Sequence, residues 1–592
     1  MEKNQETLSI LRHSTSHIMA QAVQKLFPEA KLAIGPSTDE GFYYDFDMTE
    51  GHTFTQEDFE KIEAEMKNII KQNLFFEKVF VEDVDSKIQE FKSEGEIYKA
   101  ELLEEHRNDN PTLYLTKDKD GNVLFCDLCA GPHIPNTSYI KGNAFKLLKV
   151  AGAYWRGNEK NKMLQRIYAT AYWNKEDLQE YLTQIEEAEK RDHRKLGKQL
   201  DLFSVREEIG GGLVLWHPNL SIVREEIENY WREEHRKRGY VIVHTPQLAK
   251  SKLWELSGHI DHYKENMFFI QKEEDTDEQY IVKPMNCPFH ILIYQANRHS
   301  YRSLPLRMAE LGTVYRKEKS GALGGLTRVQ GFTQDDAHIF CTPEQLVDEI
   351  NAIIDFVSDT MKIFKMDFEV ELSTRPESYV GSLENWSLAE AGLEEAMKKC
   401  GMKYEINEGD GAFYGPKIDF KVKDAIGRTW QCATIQLDFN LPERFNIKYQ
   451  DKDGSMKTPV MLHRVIFGSM ERFHGILIEH YAGAFPVWLA PTQAVVVPIS
   501  TDKHGDYAQK VYNKLRNSGI RCRLDDRSES MNYKIREALK EHKVPYVCVV
   551  GDKETQTEMV ALRKRAVGQV GTIGVDEFIK KLQAEIADKV SD

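Results

Sequence analysis

Three short segments, far apart along the chain, carry the residue types of a single site, so any fold for this sequence has to bring them together. They are Pro284-Met-Asn-Cys-Pro288, Tyr315-Arg-Lys-Glu318 running on to Gly331-Phe-Thr-Gln-Asp-Asp-Ala-His338, and His463-Arg-Val-Ile-Phe-Gly-Ser-Met-Glu-Arg472. Between them they offer Cys287, His338 and His463 to a metal, and Arg316, Arg472 and Phe332 to a nucleotide. One thiolate with two imidazoles suits Zn2+ and leaves coordination positions open. Arginine suits a triphosphate because its planar fork donates two bonds to phosphate oxygens at once. The metal set is spread over intervals of 51 and 125 positions. On spacing alone, two packed histidines and a buried thiol form the competing reading. No Gly-x-x-x-x-Gly-Lys-Ser/Thr loop occurs, which excludes a P-loop. The glycine clusters at 210–212 and 324–325 fit neither that pattern nor a dinucleotide fingerprint.

The chain of 592 residues is long enough for three or four domains, each with its own core. No run approaches the roughly 20 apolar residues of a membrane span, and the polar start MEKNQETLSILRHS lacks the apolar centre of a secretory signal. Eight cysteines, scattered apart from Cys126 and Cys129, do not read as a disulfide framework. Together these features predict a cytoplasmic protein with reduced thiols and no membrane partner. The net charge of −15 argues against nucleic acid, but it is uneven. Residues 492–592 hold 18 Lys and Arg against 15 Asp and Glu, and a basic cluster spans 190–198. At cellular salt such local patches act over short range and can engage phosphates; ordinary solvated faces are the competing reading.

The pattern of apolar residues predicts an α+β multidomain chain. Residues 1–173 mix a helix near Leu8–Leu26 with turn-rich stretches. Residues 174–200, charged with apolar residues at helical spacing, predict a linking helix. Residues 201–488 alternate strand and helix patterns, including Tyr240-Val-Ile-Val-His and Asp367-Phe-Glu-Val-Glu-Leu, and predict a large, mostly antiparallel sheet flanked by helices. Residues 489–592 alternate strand and helix, as an α/β domain does.

The Arg-x-Glu segment with its Gly-Phe-Thr-Gln-Asp-Asp-Ala-His strand resembles motif 2 of class II aminoacyl-tRNA synthetases. Gly468-Ser-Met-Glu-Arg472 resembles motif 3, and Tyr240-Val-Ile-Val-His-Thr-Pro246 resembles motif 1, the dimer-forming element. Lys283-Pro-Met-Asn-Cys-Pro and Trp430-Gln-Cys-Ala-Thr-Ile-Gln-Leu-Asp-Phe narrow the resemblance to the threonyl-tRNA synthetase family, across essentially the whole chain. The resemblance implies a homodimer that binds ATP with Mg2+, L-threonine and tRNA(Thr). It places Arg316 on the α-phosphate, Arg328 and Arg472 on the γ-phosphate, and Glu318 and Phe332 on adenine. It puts Lys417 and Gln431 near the carboxylate and α-phosphate, and His259 near the transfer to the tRNA hydroxyl.

One Zn2+ per subunit on Cys287, His338 and His463 is the implied selector. Threonine and valine are nearly isosteric, and an apolar pocket separates such a pair weakly. A metal that binds both the amino group and the hydroxyl rejects valine, with Asp336 accepting from the hydroxyl and Gln334, Tyr414 and Gln436 lining the pocket. Serine keeps the hydroxyl and lacks only a methyl, a difference of about 1–3 kcal/mol, so a second, hydrolytic site is expected. His13-Ser-Thr-Ser-His17 sets two imidazoles on one helix face at i and i+4. With Cys129-Ala-Gly-Pro-His133 it resembles the family's editing segments, in which His13, Lys99 and Asp127, with Tyr44 nearby, position ester and water. A metal-free site is the expectation, a second zinc site the alternative, and Cys126-Asp-Leu-Cys129 is a CxxC outside the family pattern. Glu554, Arg563 and residues 527–532 fall where the family reads anticodon bases. Bacterial-type members begin with a small additional domain ahead of the editing helix; this chain starts almost at that helix, which fits either a member that lacks the domain or a trimmed sequence. A non-catalytic RNA-binding paralogue would have lost Arg316, Arg472 or a metal ligand, and none is missing. Prolyl or seryl relatives would not need this metal set together with this N-terminal domain.

Overall fold

The computed structural model describes residues 3–48, 51–271 and 278–590, which form two compact units, Met1–Glu186 and Glu187–Asp592. No helix among the described residues is long and apolar enough to cross a membrane.

The first unit opens with the helix Gln5–Leu26, started by a capping box between Asn4 and Thr7. The helix buries a polar stripe that includes Arg12, Ser14, Thr15, Ser16 and His17. Its hydroxyls are satisfied locally: Ser14 donates to the Ile10 carbonyl and Thr15 to that of Leu11. A polar stripe facing inward marks a site rather than a packed core. It lies beside a four-stranded antiparallel sheet (Ala30–Leu32, Phe42–Met48, Met163–Ala171, Phe145–Tyr154). A second antiparallel sheet joins Phe75–Phe80, Thr112–Lys117 and Val123–Leu128.

The linker departs from the single helix expected over 174–200. Two helices form, Lys175–Arg191 and His193–Gln199, with Asp192 between them in a non-helical conformation. Its carboxylate accepts from the Arg194 N–H, and a side chain that bonds nearby backbone competes with helix continuation.

The second unit is built on an eight-stranded sheet. Its order is Val241–Ile242, Leu306–Tyr315, Gly331–Cys341, Val460–Val465, Thr429–Asp438, Lys417–Lys423, Phe368–Ser373, Glu405–Asn407. The inner neighbours are antiparallel and the two outermost pairs parallel. Only two residues of the predicted strand at Tyr240–His244 join the sheet. Because side chains alternate across a strand, one face buries Ala337, Ile339, Ile435, Leu437 and Leu462. These share a core with the helices Pro218–Lys237, Leu346–Phe364, Leu383–Lys399 and Met470–His480. The other face carries Gln334, Asp336, His338, Gln436 and His463.

The C-terminal part is a five-stranded sheet in the order Cys522–Leu524, Ala494–Pro498, Tyr546–Val550, Met559–Lys564, Gly568–Gly574. Helices Thr501–Asn517 and Val575–Ala587 bury one face of it, and the helix from Met531 covers the other. That helix runs to Arg536 and continues as a π-turn to Glu541.

Candidate functional site

Strand register explains how distant residues meet. His338 pairs directly with His463, His463 with Gln436, and Gln436 with Lys417, so the four form one row across four strands. Cys287, the first residue of the helix Cys287–Gln295, comes over this row. Its sulfur lies within 4.8 Å of ligand nitrogens of His338 and His463.

The hydrogen bonds around the two histidines assign their protons. His290 faces Glu310 through Nε2 (3.2 Å) and His338 Nδ1 through its own Nδ1 (2.8 Å). The Glu310 carboxylate takes the His290 Nε2–H, which leaves His290 Nδ1 to accept from His338 Nδ1–H. On the other side His463 Nε2–H donates to Asp438 Oδ2 at 2.9 Å. What is left is His338 Nε2 and His463 Nδ1, two lone pairs facing each other 3.0 Å apart. Burial keeps His338 neutral by pushing its pKa well down, and pushes the Cys287 thiol well up. Such a thiol becomes a thiolate readily only beside a cation. Two converging lone pairs, a buried thiol and a carboxylate or imidazole behind each histidine fit a divalent metal of zinc type.

Around this trio lies a cavity of about 210 Å³ lined by Asn286, Gln334, Asp336, Tyr414, Thr434 and Gln436, with Arg316 at its edge. Asn286 donates through Nδ2 to Asp336 Oδ2 (3.0 Å) and towards Gln334 Oε1 (3.4 Å), fixing both side chains. A Cβ at Gly312 would stand 2.5 Å from the Asn286 amide, so the close approach requires glycine there.

The cationic groups lie beside the cavity. Arg316 donates to the Pro284 carbonyl, with its guanidinium 5.2 Å from the Phe332 ring and 5.7 Å from that of Tyr263. Arg472 sits in the first turn of the helix Met470–His480, whose cap Ser469 accepts from its N–H. Its side chain donates to the carbonyls of Gln431 and Thr327. Arg328 pairs with Glu318 at 3.0 Å. Lys417 lies between Asp419 (2.7 Å) and Asp410 (2.9 Å). Burial alone would lower the Lys417 pKa, but the two carboxylates outweigh it and hold the ammonium charged. A register shift opposite Asp419 and Lys421 re-phases the alternation, so that Gln431 and Thr434 both donate to Asp419 Oδ1. His259 is fully buried, with Nδ1 on Ser257 Oγ (2.7 Å) and Nε2 on Met285 Sδ (3.0 Å). It touches the cavity wall through Met285, and burial lowers its pKa to about 3.

The first unit brings a second cluster together. Ligand atoms of His13, His17, Cys129 and His133 all lie within 4.8 Å of one another. Cys129 Sγ stands 3.3 Å from both His13 Nε2 and His133 Nε2. Burial pushes all three histidines down and the Cys129 thiol up to about 12, so the group is neutral. Beside it Asp127 accepts from Tyr44 (2.7 Å), pairs with Lys99 (3.2 Å) and faces His17 Nε2 (3.6 Å). Cys126 stands apart from the cluster and packs against the small core around Ile88 and Leu113, so the CxxC is not a chelating pair. In the C-terminal part Glu554 accepts the Gly551 N–H at a helix start, and Arg563 lies on the strand Met559–Lys564.

Sequence reasoning passed over Asn286, His290, Glu310, Thr434 and Asp438. Asn286 and Asp438 sit inside segments already singled out. Asp438 is two residues beyond Gln436 and therefore on the same strand face, a signal that alternation carries. His290 is one helical turn beyond Asn286.

An antiparallel sheet whose open face carries arginines from a strand pair and a helix start defines the core of a class II aminoacyl-tRNA synthetase. Residues 268–481 match the family model of the tRNA synthetase class II core domain (G, H, P, S and T), and residues 493–585 an anticodon binding domain. Residues 114–168 match the threonyl and alanyl tRNA synthetase second additional domain. The chain is 53% identical over 587 residues to the threonine–tRNA ligase of Carboxydothermus hydrogenoformans, across 99% of this chain and 90% of that one. It is 54% identical over 585 residues to that of Citrifermentans bemidjiense, with the same shares covered. The chain belongs to the threonine–tRNA ligase family. A crystal structure of the RNA binding domain of threonyl-tRNA synthetase from Cryptosporidium parvum superposes with a TM-score of 0.63 at 41% identity. The match covers 66% of this chain and 98% of that one.

Proposed function

We propose that this chain activates L-threonine with ATP and Mg2+, transfers it to tRNA(Thr), and uses a bound zinc to select it. The observation that carries the reading is the approach of His338 Nε2 and His463 Nδ1 to 3.0 Å of each other, with the Cys287 sulfur within 4.8 Å of both imidazoles. Zinc held by Cys287, His338 and His463 would supply a Lewis acid for an amino group and a neighbouring hydroxyl. The chain's own residues do the rest. Asp336, held by Asn286, accepts a hydrogen bond from the threonine hydroxyl, and Tyr414, Gln334 and Gln436 close the pocket around the side chain. Lys417 and Gln431 meet the carboxylate and α-phosphate. Arg316 takes the α-phosphate, Arg328 and Arg472 the γ-phosphate, and Glu318 and Phe332 the adenine. His259, with its Nδ1 on Ser257 Oγ, serves the transfer of threonine to the tRNA hydroxyl.

A Cys287→Ser variant tests this reading. It should lose zinc and threonine-dependent ATP–pyrophosphate exchange together; normal exchange by a zinc-free variant would sink the selector.

The first unit, taken as residues 1–173, hydrolyses Ser-tRNA(Thr) in this reading. His13, Lys99 and Asp127, with Tyr44, hold ester and water, and the neutral His17, Cys129 and His133 complete the wall. A second reading, that this cluster also binds zinc, is favoured by one observation. His17 Nδ1 is buried and has no hydrogen-bond partner among the described residues, within a set of four potential ligands. Metal content separates the two: one zinc per chain supports a metal-free editing site, two the alternative. Residues 174–200 link this unit to a catalytic domain over 201–488, and residues 489–592 read the anticodon with Glu554 and Arg563. The segment Tyr240–Pro246 forms a homodimer contact, and the protein works in the cytoplasm.

A further inference from the structure

His193 ties three parts of the second unit together. It begins the helix His193–Gln199 and is 5% exposed. Its Nδ1 meets Glu479 Oε1 at 2.6 Å, and its backbone N–H donates to the same oxygen at 3.1 Å. Glu479 lies in the last turn of the helix whose first turn carries Arg472. The carboxylate takes the Nδ1 proton, so Nε2 is an acceptor, and it receives the Leu326 N–H at 3.0 Å.

Leu326 belongs to the loop that ends in Arg328. The loop is closed by Gly324 N–H on the Arg328 carbonyl (3.0 Å) and by the Thr327 hydroxyl on the Gly324 carbonyl (2.7 Å). The next carbonyl, that of Thr327, accepts from Arg472 Nη1 at 3.2 Å. The loop therefore has two moorings, His193 on one residue and Arg472 on the next. The packing leaves no slack. A Cβ at Gly325 would lie 2.2 Å from His193 Nε2, at a backbone φ of +56°, and one at Gly475 would lie 3.2 Å from Leu326 Cβ. Asp192, His193 and Glu479 are close enough to resemble a metal site. Both His193 nitrogens are already engaged, however, and the Asp192 carboxylate pairs with Arg194, so the cluster is a strut and not a ligand set.

We propose that His193, buttressed by Glu479, is a positioning residue for the nucleotide subsite: by holding the Leu326 N–H it sets the loop from which Arg328 and the Thr327 carbonyl orient the arginine grip on the triphosphate. The proposal rests on the reading above that Arg328 and Arg472 hold ATP. The strut touches neither the metal trio nor the residues lining the cavity beside it, so its main effect falls on the nucleotide.

Two variants of similar size separate its two bonds. In His193→Gln the amide oxygen takes the place of Nε2 and keeps an acceptor for Leu326, while the bond to Glu479 is lost. In His193→Asn the amide nitrogen takes the place of Nδ1 and keeps the bond to Glu479, while Leu326 loses its acceptor. ATP–pyrophosphate exchange on the full chain is measured with ATP and threonine varied in turn, beside Arg328→Ala as a reference. Expected is a rise in the KM for ATP on the order of tenfold or more in His193→Asn, as a displaced binding group costs. The threonine KM should stay level and kcat change little, and His193→Gln should stay near wild type. Equal losses in both variants, or an unchanged KM for ATP in His193→Asn while Arg328→Ala raises it, would overturn the strut. An unchanged KM in Arg328→Ala would remove the nucleotide reading on which it stands, and the proposal with it.

Discussion

Replacing Asp438 by asparagine should weaken zinc binding without touching a ligand. Asp438 is fully buried. Its Oδ1 accepts the N–H groups of Asn440 (2.7 Å) and Leu441 (3.0 Å), and its Oδ2 accepts from His463 Nε2 at 2.9 Å. In Asp438→Asn the two backbone donors hold the amide oxygen where Oδ1 was. The amide nitrogen then faces Nε2–H, donor against donor. An unsatisfied buried donor costs about 1–3 kcal/mol. Moving the His463 proton from Nε2 to Nδ1 relieves that clash, but blocks the lone pair that faces His338. Zinc must reverse this shift to bind, so its affinity should fall about 5- to 150-fold, at about 1.4 kcal/mol per factor of ten. That range overlaps the loss expected on removing a partner behind a metal ligand. The assay is competition for zinc against a chromogenic chelator at fixed pH, with circular dichroism to check the fold. A folded Asp438→Asn protein with wild-type zinc affinity would refute the proton assignment, and with it the convergence of lone pairs on one ion.

Other outcomes follow from the same geometry. In Gly312→Ala the new Cβ would press on the Asn286 amide and release Asp336; threonine-dependent exchange should collapse, with a stability loss of about 1–3 kcal/mol, as overpacking costs. His13→Ala should leave threonine charging intact and abolish clearance of Ser-tRNA, measured by deacylation of preformed Ser-tRNA(Thr). Burial pushes the Glu471 carboxyl up from 4.5 to about 7 despite the Arg224 guanidinium. The folded chain therefore keeps a proton there that the unfolded chain has released, and this group's contribution to stability falls as pH rises from about 4.5 to 7. Glu471→Gln should flatten the decline of melting temperature across that window, whereas an unchanged slope would mean the carboxyl titrates elsewhere.

The parts of the site that strand alternation and register control were legible early. Gln334, Asp336 and His338 share a face because they are two apart, and the quoted segments already held the ligands. What places His338 opposite His463, 125 positions away, is the pairing of two antiparallel strands, which no local pattern encodes. The partners behind His338 and His463 were harder to read: alternation puts Asp438 on the face of Gln436, but its role, like that of His290, exists only once the strands and the helix Cys287–Gln295 are docked. The break of the linker at Asp192 turned on a single carboxylate choosing the Arg194 N–H over helix continuation, a choice that periodicity does not register. Gln431 joined Thr434 on Asp419 only through a register shift, which again arises between strands and not within one.

A zinc selector is tested most directly by ATP–pyrophosphate exchange with threonine, serine and valine, before and after zinc is stripped by a chelator. It predicts strong exchange with threonine, weaker exchange with serine, none with valine, and loss of all signal on stripping with recovery on adding zinc back. Exchange with threonine that survives complete removal of zinc, or valine activated as well as serine, would contradict the central claim that the ion on Cys287, His338 and His463 chooses the amino acid.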